Sequence, residues 1–254
     1  MNTVKQRYVL GRAMAVVAAL ALGWAATVAA DNNQKFPATG QTTCNDSGGT
    51  VIPCAGTGQD GDIQAGATLK YKDNGNGTVT DRNTKLVWEK KSADGGIHEV
   101  NNTYTWPDAF AVHVATLNNS CANDENVACS VNADCAGVGG KCGFAGKRDW
   151  RVPNVKELPS IVNYQNVRPA VSAAFNTNCV AGATVLTGSC TAEFFYWSST
   201  SNAGSPALAW SVDFVEGFVD DDVKAPSGNY LYNFVCNLRG CLLIRPTDST
   251  GAIV

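Results

Sequence analysis

The chain has 254 residues, a formal net charge of −3, 44% hydrophobic residues and 10 cysteines. This length suits one domain with an extension. A mildly acidic chain without a basic block is a poor match for proteins that bind nucleic acid, anionic lipid or sulfated glycans through charge, so we expect no nucleic-acid partner.

Residues 1–30 have the three parts of a secretory signal peptide. Three basic side chains precede an alanine-rich apolar segment at 13–28, and Val28-Ala29-Ala30 resembles a small-residue cleavage site. An uncleaved membrane anchor is the alternative, but the apolar segment is short for a bilayer span and no later apolar run is long enough to be one. We therefore predict an exported protein that has no membrane span after cleavage.

The cysteines all follow this segment, and an even number of them in an exported chain predicts disulfides. Free thiols and zinc ligands are the alternatives. Zinc is disfavoured because the sequence has no C-x2-C pair and neither histidine lies at ligand spacing from a cysteine pair. The predicted disulfide cysteines are Cys44, Cys54, Cys121, Cys129, Cys135, Cys142, Cys179, Cys190, Cys236 and Cys241.

Residues 31–66 are polar and glycine-rich, and they predict an extended N-terminal arm in which Cys44 and Cys54 close a small loop. Within the arm, residues 56–61 match the dinucleotide-binding pattern G-x-G-x-x-G. That pattern needs a strand before it and a helix after it. Here Pro53 precedes it and a second glycine-rich run follows, so we reject a dinucleotide site.

Residues 69–88 predict strands joined by a turn, because the Asn-Gly pairs between them tolerate positive φ. A calcium loop through Asp73, Asn76 and Asp81 is the alternative, since calcium takes clustered oxygens. The EF-hand spacing fails, because glycines occupy two ligand positions and Thr84 stands where the twelfth-position Glu is needed. We expect a turn and no cofactor.

A helix is predicted to start at Thr105, because Asp108 three residues later completes a capping-box pattern. Its apolar stripe consists of Trp106, Phe110, Val114 and Leu117. His113 lies near this stripe and has two interpretations, a proton shuttle or a packed helix histidine. We favour the packed histidine, because the sequence places no nucleophile or paired carboxylate beside it.

Residues 120–142 form a polar, glycine-rich stretch that contains Cys121, Cys129, Cys135 and Cys142. Four cysteines allow three disulfide connectivities, and the sequence does not choose among them. The functional interpretation of this stretch is a recognition loop. The alternative is a solvated insertion without a partner.

Residues 143–164 carry the densest local signals in the chain. Trp150 alternates with polar neighbours and predicts a short strand. Asn154 followed by Glu157 predicts the capped start of a helix. Pro159 lies about five positions into that helix, where its missing amide and its ring shorten or kink it.

The second half of the chain predicts an antiparallel sheet. Residues 167–191 form a long connection that Cys179 and Cys190 are expected to close. The segments after it alternate apolar and polar side chains with period 2. We expect Trp88 and Trp150 to lie in the core of the resulting domain.

Several motifs occur in the order in which they stand in one known family. They are Gly77-Thr-Val-Thr-Asp-Arg-Asn-Thr-Lys-Leu-Val-Trp88, Tyr104-Thr-Trp106, Asp149-Trp-Arg-Val-Pro-Asn-Val-Lys-Glu-Leu158, Tyr196-Trp-Ser-Ser-Thr200, Ala209-Trp-Ser-Val-Asp-Phe214 and Leu238-Arg-Gly240. Over roughly residues 78–240 the chain thus resembles the Lcl C-terminal domain family of secreted bacterial domains.

The resemblance implies an α+β, C-type-lectin-like domain with an antiparallel sheet, two short helices and disulfide-rich loops. We place it at 67–245, with the cysteine-rich insertion at 120–142 and a tail at 246–254. Many relatives have a helix cysteine that pairs with a cysteine near the end of the domain. By this resemblance Cys236 needs another partner here, and Cys241 is the nearest candidate.

The sequence lacks the enzyme motifs H-E-x-x-H, G-x-S-x-G and the Walker loop, and we expect no enzyme. The leading hypothesis is an adhesin-like binding module for a glycan or protein, which is secreted, periplasmic or at the cell surface of a bacterium. A structural subunit that forms a homo-oligomer through the arm is the alternative. The ligand candidates, whose polar groups and rings suit sugars, are Asp220, Asp221, Asp222, Asn229, Tyr230 and Tyr232. We expect the three acids and at least one tyrosine to share an exposed face, and a solvated turn is the alternative.

Overall fold

The computed structural model describes residues 36–224 and 231–238. The predicted signal segment, the predicted tail at 246–254 and Cys241 lie outside these residues. The described chain is α+β, with antiparallel sheets, a few short helices and four disulfides. None of its helices has the length and apolar character needed to cross a membrane.

Eleven short strands are present in the described residues. They are β1 (Cys44–Asn45), β2 (Val51–Ile52), β3 (Tyr71–Asp73), β4 (Thr78–Asp81), β5 (Leu86–Glu89), β6 (Ser120–Cys121), β7 (Asp124–Ala128), β8 (Phe195–Ser201), β9 (Leu208–Asp213), β10 (Val219–Val223) and β11 (Cys236–Leu238). The helical segments are α1 (Asp60–Ile63), α2 (Trp106–Asp108), the π-helical turn Ala109–Val114, α3 (Ala115–Asn119) and the 3-10 turns Asn132–Val138, Phe144–Gly146 and Leu158–Ile161.

One sheet has four antiparallel strands in the order β11-β5-β4-β3. The predicted turn between β3 and β4 is confirmed. The Asp73 carboxylate accepts a hydrogen bond from the Gly75 amide at 2.8 Å, and Gly77 has φ +82°, a conformation that favours glycine. Trp88 in β5 lies opposite both Val79 and Cys236, so the middle of this sheet is built around it.

A second sheet has three antiparallel strands in the order β10-β9-β8. Tyr196 and Val212 are opposite each other and belong to the main hydrophobic core. Trp197, the next residue along β8, belongs to a second buried cluster that also contains Ala209. Because successive side chains of a strand point to opposite faces, β8 and β9 are covered on both sides.

The predicted core positions of two tryptophans are confirmed. Trp88 is fully buried in the main core, where its ring packs edge-on against Phe175 and Phe234. Trp150 is 2% exposed, and its Nε1 donates to the Phe144 carbonyl at 3.0 Å. The corner at 143–164 is therefore fixed to the domain by the packing of Trp150 and closed internally by a buried hydrogen bond.

The predicted helix start at Thr105 is confirmed, since its side chain accepts a hydrogen bond from the Asp108 amide at 3.3 Å. The helix continues through α2 and α3, but Ala109–Val114 is π-helical. Such π-helical turns inside α-helices occur frequently at functional sites. In this segment His113 is fully buried, whereas its neighbour Val112 is 44% exposed.

The second predicted helix is much shorter than expected. Its capping box forms, because the Glu157 amide donates to the Asn154 side chain at 3.0 Å and the Asn154 amide donates to the Glu157 carboxylate at 2.8 Å. Only the 3-10 turn Leu158–Ile161 follows, because Pro159 offers no amide to continue an α-helix. The predicted strand at 150–152 is likewise reduced to one bridge, from Arg151 to β11, because Pro153 ends the pairing.

Both disulfides predicted from near-sequence cysteines are present, Cys44 with Cys54 at 2.09 Å and Cys179 with Cys190 at 2.13 Å. The insertion pairs Cys121 with Cys135 and Cys129 with Cys142. This interleaved connectivity is one of the three that the sequence left open.

Cys236 is a buried thiol in β11. Burial raises its pKa to about 12, so the sulfur is protonated at neutral pH. Its predicted partner, Cys241, lies outside the described residues, and that pair stays a prediction.

The N-terminal arm runs along the domain. The Tyr164 amide donates to the Thr39 carbonyl at 2.8 Å, and the Thr42 amide donates to the Gln165 side chain at 2.7 Å. The small loop predicted for the arm is closed by the Cys44 to Cys54 disulfide, and β1 pairs with β2 inside it. The arm thus carries its own hairpin, while Thr39 and Thr42 contact the segment 163–165.

Candidate functional site

A cleft of about 790 Å³ lies between the cysteine-rich insertion at 120–142 and the body of the domain. We refer to it as the insertion cleft. One wall is formed by residues 120–125 and 139–141 of the insertion, and the facing wall includes Asn76, Ile97, His98, Leu117, Phe144, Val185 and Leu186. A concave, largely apolar surface with a few polar groups is typical of a ligand site.

The insertion forms a fixed wall of this cleft. Its two interleaved disulfides cross-link it internally, and the Cys129 amide donates to the Asn119 carbonyl at 2.7 Å. Across the cleft, the Ile97 amide donates to the Glu125 carboxylate at 3.1 Å. These links hold the insertion in one position relative to the domain body.

The facing wall carries His98 on a compact loop. The Ser92 amide donates to the His98 carbonyl at 2.8 Å, and the Val100 amide donates to the Ser92 carbonyl at 2.8 Å. The His98 ring packs against Phe144 with a centroid distance of 4.2 Å. Both the loop and the ring contact therefore fix the position of the imidazole at the cleft.

Beneath His98 lies a group of buried ionisable side chains, which we call the Glu89 cluster: Glu89, Lys91, His98 and His113. Glu89 ends β5 and is fully buried. Its Oε1 accepts from His98 Nδ1 at 2.7 Å, from His113 Nε2 at 3.0 Å and from Lys91 Nζ at 3.3 Å. Its Oε2 is buried and has no hydrogen-bond partner within the described residues.

His113 is neutral at pH 7, since burial lowers its pKa to about 4. The Asn233 amide group is 3.0 Å from Nδ1. Because Nε2 faces the Glu89 carboxylate, Nε2 carries the proton and Nδ1 accepts from Asn233. The ring also stacks on Tyr104 at 5.1 Å. Every edge of this imidazole is thus occupied by the protein.

Glu89 is ionised at neutral pH. Burial raises its pKa, but His113, Lys91 and the hydrogen bond from His98 outweigh burial and hold the pKa well below its ordinary value. Burial lowers the pKa of Lys91, and the attraction of Glu89 opposes this only in part. The cluster therefore places a carboxylate and its cationic partner under the cleft, with His98 between them and solvent.

The expectation that His113 packs inside the domain is confirmed. The sequence analysis did not predict that the Glu89 carboxylate lies beside it, or that Lys91 belongs to the same cluster. A signal was present, because the charged run Glu89-Lys90-Lys91 directly continues the apolar strand Leu86–Glu89. Charged side chains at the end of a fully buried strand need partners inside the domain.

Of the predicted ligand residues that the structure describes, the three acids do not lie on one face. In β10, Asp221 lies opposite Trp210, whereas Asp220 lies opposite Ser211, so neighbouring acids point to opposite sides of the sheet. Asp221 is hydrogen-bonded to Asn202. Asp222 shares the side of Asp220.

The aromatic part of that predicted site is only partly described. Tyr232 is half-buried and packs against the rings of Tyr196 and Phe194 at 5.4 and 6.2 Å. Asn229 and Tyr230 lie outside the described residues. The expected common exposed face of three acids and a tyrosine is wrong for the acids, because strand alternation separates them, and binding at these residues stays a prediction.

The oxygens of the calcium candidates are bonded to neighbouring groups of the protein. Asp73 forms an ion pair with Lys90 at 2.9 Å, and the Thr78 hydroxyl donates to Asn76 at 2.7 Å. Asp81 is buried and accepts from the Thr84 hydroxyl at 2.7 Å. These contacts give each of the three side chains a structural role, and calcium binding stays a prediction.

The family model of the Lcl C-terminal domain matches residues 77–235, which is more than half of the chain. No curated protein and no solved structure matches the chain. The matched region begins at the turn before β4 and includes the Glu89 cluster and the whole insertion.

Proposed function

Because the chain belongs to the Lcl C-terminal domain family, we propose that it is an exported, disulfide-stabilised binding module with a lectin-like architecture. It acts like an adhesin and recognises a glycan or a protein in the periplasm, at the cell surface or outside the cell. The four disulfides of the described chain support an extracytoplasmic setting.

The insertion cleft carries this proposal. A solvated insertion without a partner has no need of a fixed position, yet two internal disulfides fix the shape of this one and the Ile97 to Glu125 hydrogen bond holds it against the body. A cleft whose walls are fixed before binding loses little conformational freedom when a ligand enters. This favours recognition at the insertion over the solvated alternative.

We propose binding without catalysis and without a cofactor. The buried position of Glu89 supports this, because its carboxylate lies beneath the cleft and its Oε1 is already bonded to three side chains. The cysteine at the cleft, Cys121, is in a disulfide and offers no thiolate. In a binding surface both groups have positional roles, because the Glu89 carboxylate holds His98 and the Cys121 disulfide fixes the insertion.

The test is to present the mature chain, beginning at Asp31, to glycan and protein arrays. Leu186 lines the cleft and is 64% exposed, so Leu186→Arg obstructs the cleft at little cost to folding. Val167 is 59% exposed and lies away from the cleft, so Val167→Arg is the matched control. We expect an array ligand whose binding is lost in the first variant and kept in the second.

Two results contradict the proposal. A folded mature chain that binds nothing on either array argues against a binding module. A ligand that binds both variants equally well shows that recognition occurs away from the insertion cleft.

The arm favours a structural or assembly subunit as the second candidate. Phe36, Val51 and Ile63 are 83%, 69% and 62% exposed, and exposed apolar side chains on one segment suit an interface between copies. Light scattering of the mature chain tests this. A homo-oligomer that Val51→Ser and Ile63→Ser dissociate together supports the second candidate, and a monomer at all concentrations contradicts it.

A further inference from the structure

We propose that the ligand of the insertion cleft is a neutral, hydroxyl-bearing sugar, and that His98 selects it by accepting a hydrogen bond from a sugar hydroxyl at Nε2. This inference rests on the proposed binding function. It identifies the class of ligand and the residue that determines specificity.

The hydrogen-bonding roles of the two ring nitrogens follow from Glu89. Nδ1 of His98 lies 2.7 Å from the carboxylate, and a carboxylate only accepts, so Nδ1 carries the hydrogen. In the neutral imidazole Nε2 is then an acceptor. Nε2 makes no hydrogen bond to any residue of the described chain. The His98 side chain is 14% exposed and lines the cleft, which leaves Nε2 as its polar atom for a ligand.

Glu89 acts as the positioning residue for this acceptor. It is fully buried, and His113 and Lys91 hold the same oxygen that accepts from His98. In metal sites a histidine that ligates through one nitrogen is commonly oriented by a carboxylate on the other, and the same geometry orients His98 here. Phe144 restrains the face of the ring. The acceptor is therefore set in place before a ligand arrives.

The charges around the cleft favour a neutral ligand with hydrogen-bond donors. The insertion contributes the carboxylates of Asp124 and Glu125 to the lining, whereas the Glu89 carboxylate behind His98 is paired with Lys91. Lys141 is the cation among the lining residues of the cleft. An anionic ligand would meet more negative than positive groups, whereas hydroxyl groups can donate to His98 and to both insertion carboxylates.

The apolar part of the lining suits the carbon face of a sugar. Ile97 and Val185 are half-buried and Leu186 is 64% exposed, and all three line the cleft. Accessible aliphatic side chains beside hydrogen-bonding groups form a surface on which a sugar can pack its C–H face while its hydroxyls are bonded. The matching ligand has hydroxyl donors along its edge and an apolar C–H face, and a carbohydrate has both.

The experiment measures binding of four probes to the mature chain by saturation-transfer NMR and titration calorimetry. Three are neutral, the methyl glycosides of galactose, mannose and N-acetylglucosamine, and methyl glucuronide is the anionic match. We expect at least one neutral probe to bind more tightly than the glucuronide. His98→Phe keeps a ring against Phe144 and removes the acceptor, so it should weaken binding about tenfold or more.

His98→Gln restores an acceptor at nearly the same reach, and we expect it to recover part of the affinity that His98→Phe loses. Nitrogen-15 NMR supplies a readout that a purely structural role would not move. The chain has 2 histidines, and the neutral His98 ring should show an unprotonated Nε2 that shifts when a neutral glycoside binds. Glu89→Gln should change the tautomer ratio of His98.

The outcomes separate this inference from the proposed function. An array ligand that binds His98→Phe as tightly as the unmodified chain, a protein ligand, or a preference for the glucuronide overturns the sugar assignment and leaves the binding module standing. A protonated Nε2 in the neutral ring of the unmodified protein overturns it even if the variants fail to fold. Binding of nothing on the arrays and of no methyl glycoside overturns both.

Discussion

Removing the charge change at His113 should flatten the pH dependence of stability. The pKa of this ring is about 4 in the folded protein, against an ordinary value of 6.5, because burial outweighs the attraction of Glu89. Between these values the unfolded chain takes up a proton that the folded chain does not. Stability therefore falls as the pH falls through this window.

The size of the effect follows from the two pKa values. Between pH 8 and pH 5 the protonation of His113 in the unfolded chain lowers the free energy of unfolding by about 2 kcal/mol. Glu89 contributes separately, because its folded pKa lies below the ordinary 4.5. Its stabilising contribution is present above that value and is lost at lower pH, so the interval from pH 8 to pH 5 reports chiefly on His113.

The assay is urea unfolding with intact disulfides, followed by tryptophan fluorescence at pH 8, 7, 6 and 5. His113→Gln is the matched variant, because its amide can still donate to Glu89 and does not titrate. We expect the unmodified chain to lose about 2 kcal/mol over this range and the variant to lose much less. An equal loss in both proteins, or no loss in either, refutes the assignment.

A variant that does not fold leaves a direct measurement. The chain has 2 histidines, so proton NMR can follow each ring through a pH titration of the unmodified protein. A His113 signal that titrates at or above pH 6.5 sinks the prediction. One that stays neutral down to about pH 4 supports it.

Three further predictions concern stability. Trp150→Ala should lower the free energy of unfolding by about 3 to 5 kcal/mol, because it empties a buried aromatic site, and a urea midpoint near that of the parent contradicts this. Replacing Cys179 and Cys190 with serine opens a disulfide of sequence separation 11 and should cost about 3 kcal/mol; an unchanged melting temperature is the contrary result. Glu157→Ala removes its 2.6 Å ion pair with Arg151 and its half of the capping box, and should cost about 1 to 2 kcal/mol in the same assay, whereas no loss would show that neither contact contributes.

The sequence predicted structure well where partners lie close along the chain. The Thr105 cap and the Asn154 to Glu157 capping box are contacts across three residues, and the pattern that marks them is fully local. The disulfide of Cys44 with Cys54 closes over a separation of 10, where proximity in sequence makes pairing favourable. Such features depend on few other residues, so a sequence contains most of their cause.

Prediction failed where a site is assembled from distant strands and helices. Glu89 and His113 are 24 positions apart, and His113 and Asn233 are 120 apart. No local pattern links them, and only the packing of the π-helical turn against β5 and the chain before β11 brings them together. The predicted common face of the acids at 220–222 is wrong for another reason. Neighbouring residues of a strand point to opposite sides, so a run of acids in β10 does not form one surface.

The Glu89 cluster also bears on why the cleft has a fixed form. Burying Glu89 and Lys91 costs several kcal/mol per ion before their attraction is counted, and apolar side chains of similar size would often be at least as stable. The neighbouring Lys90 forms a less costly ion pair, because its partner Asp73 is 52% exposed and keeps much of its contact with water. Lys91 instead faces inward, on the carboxylate that also holds His98. Because folding alone does not require this arrangement, its specific consequence is the fixed imidazole at the cleft, and the disulfides of the facing insertion hold the other wall.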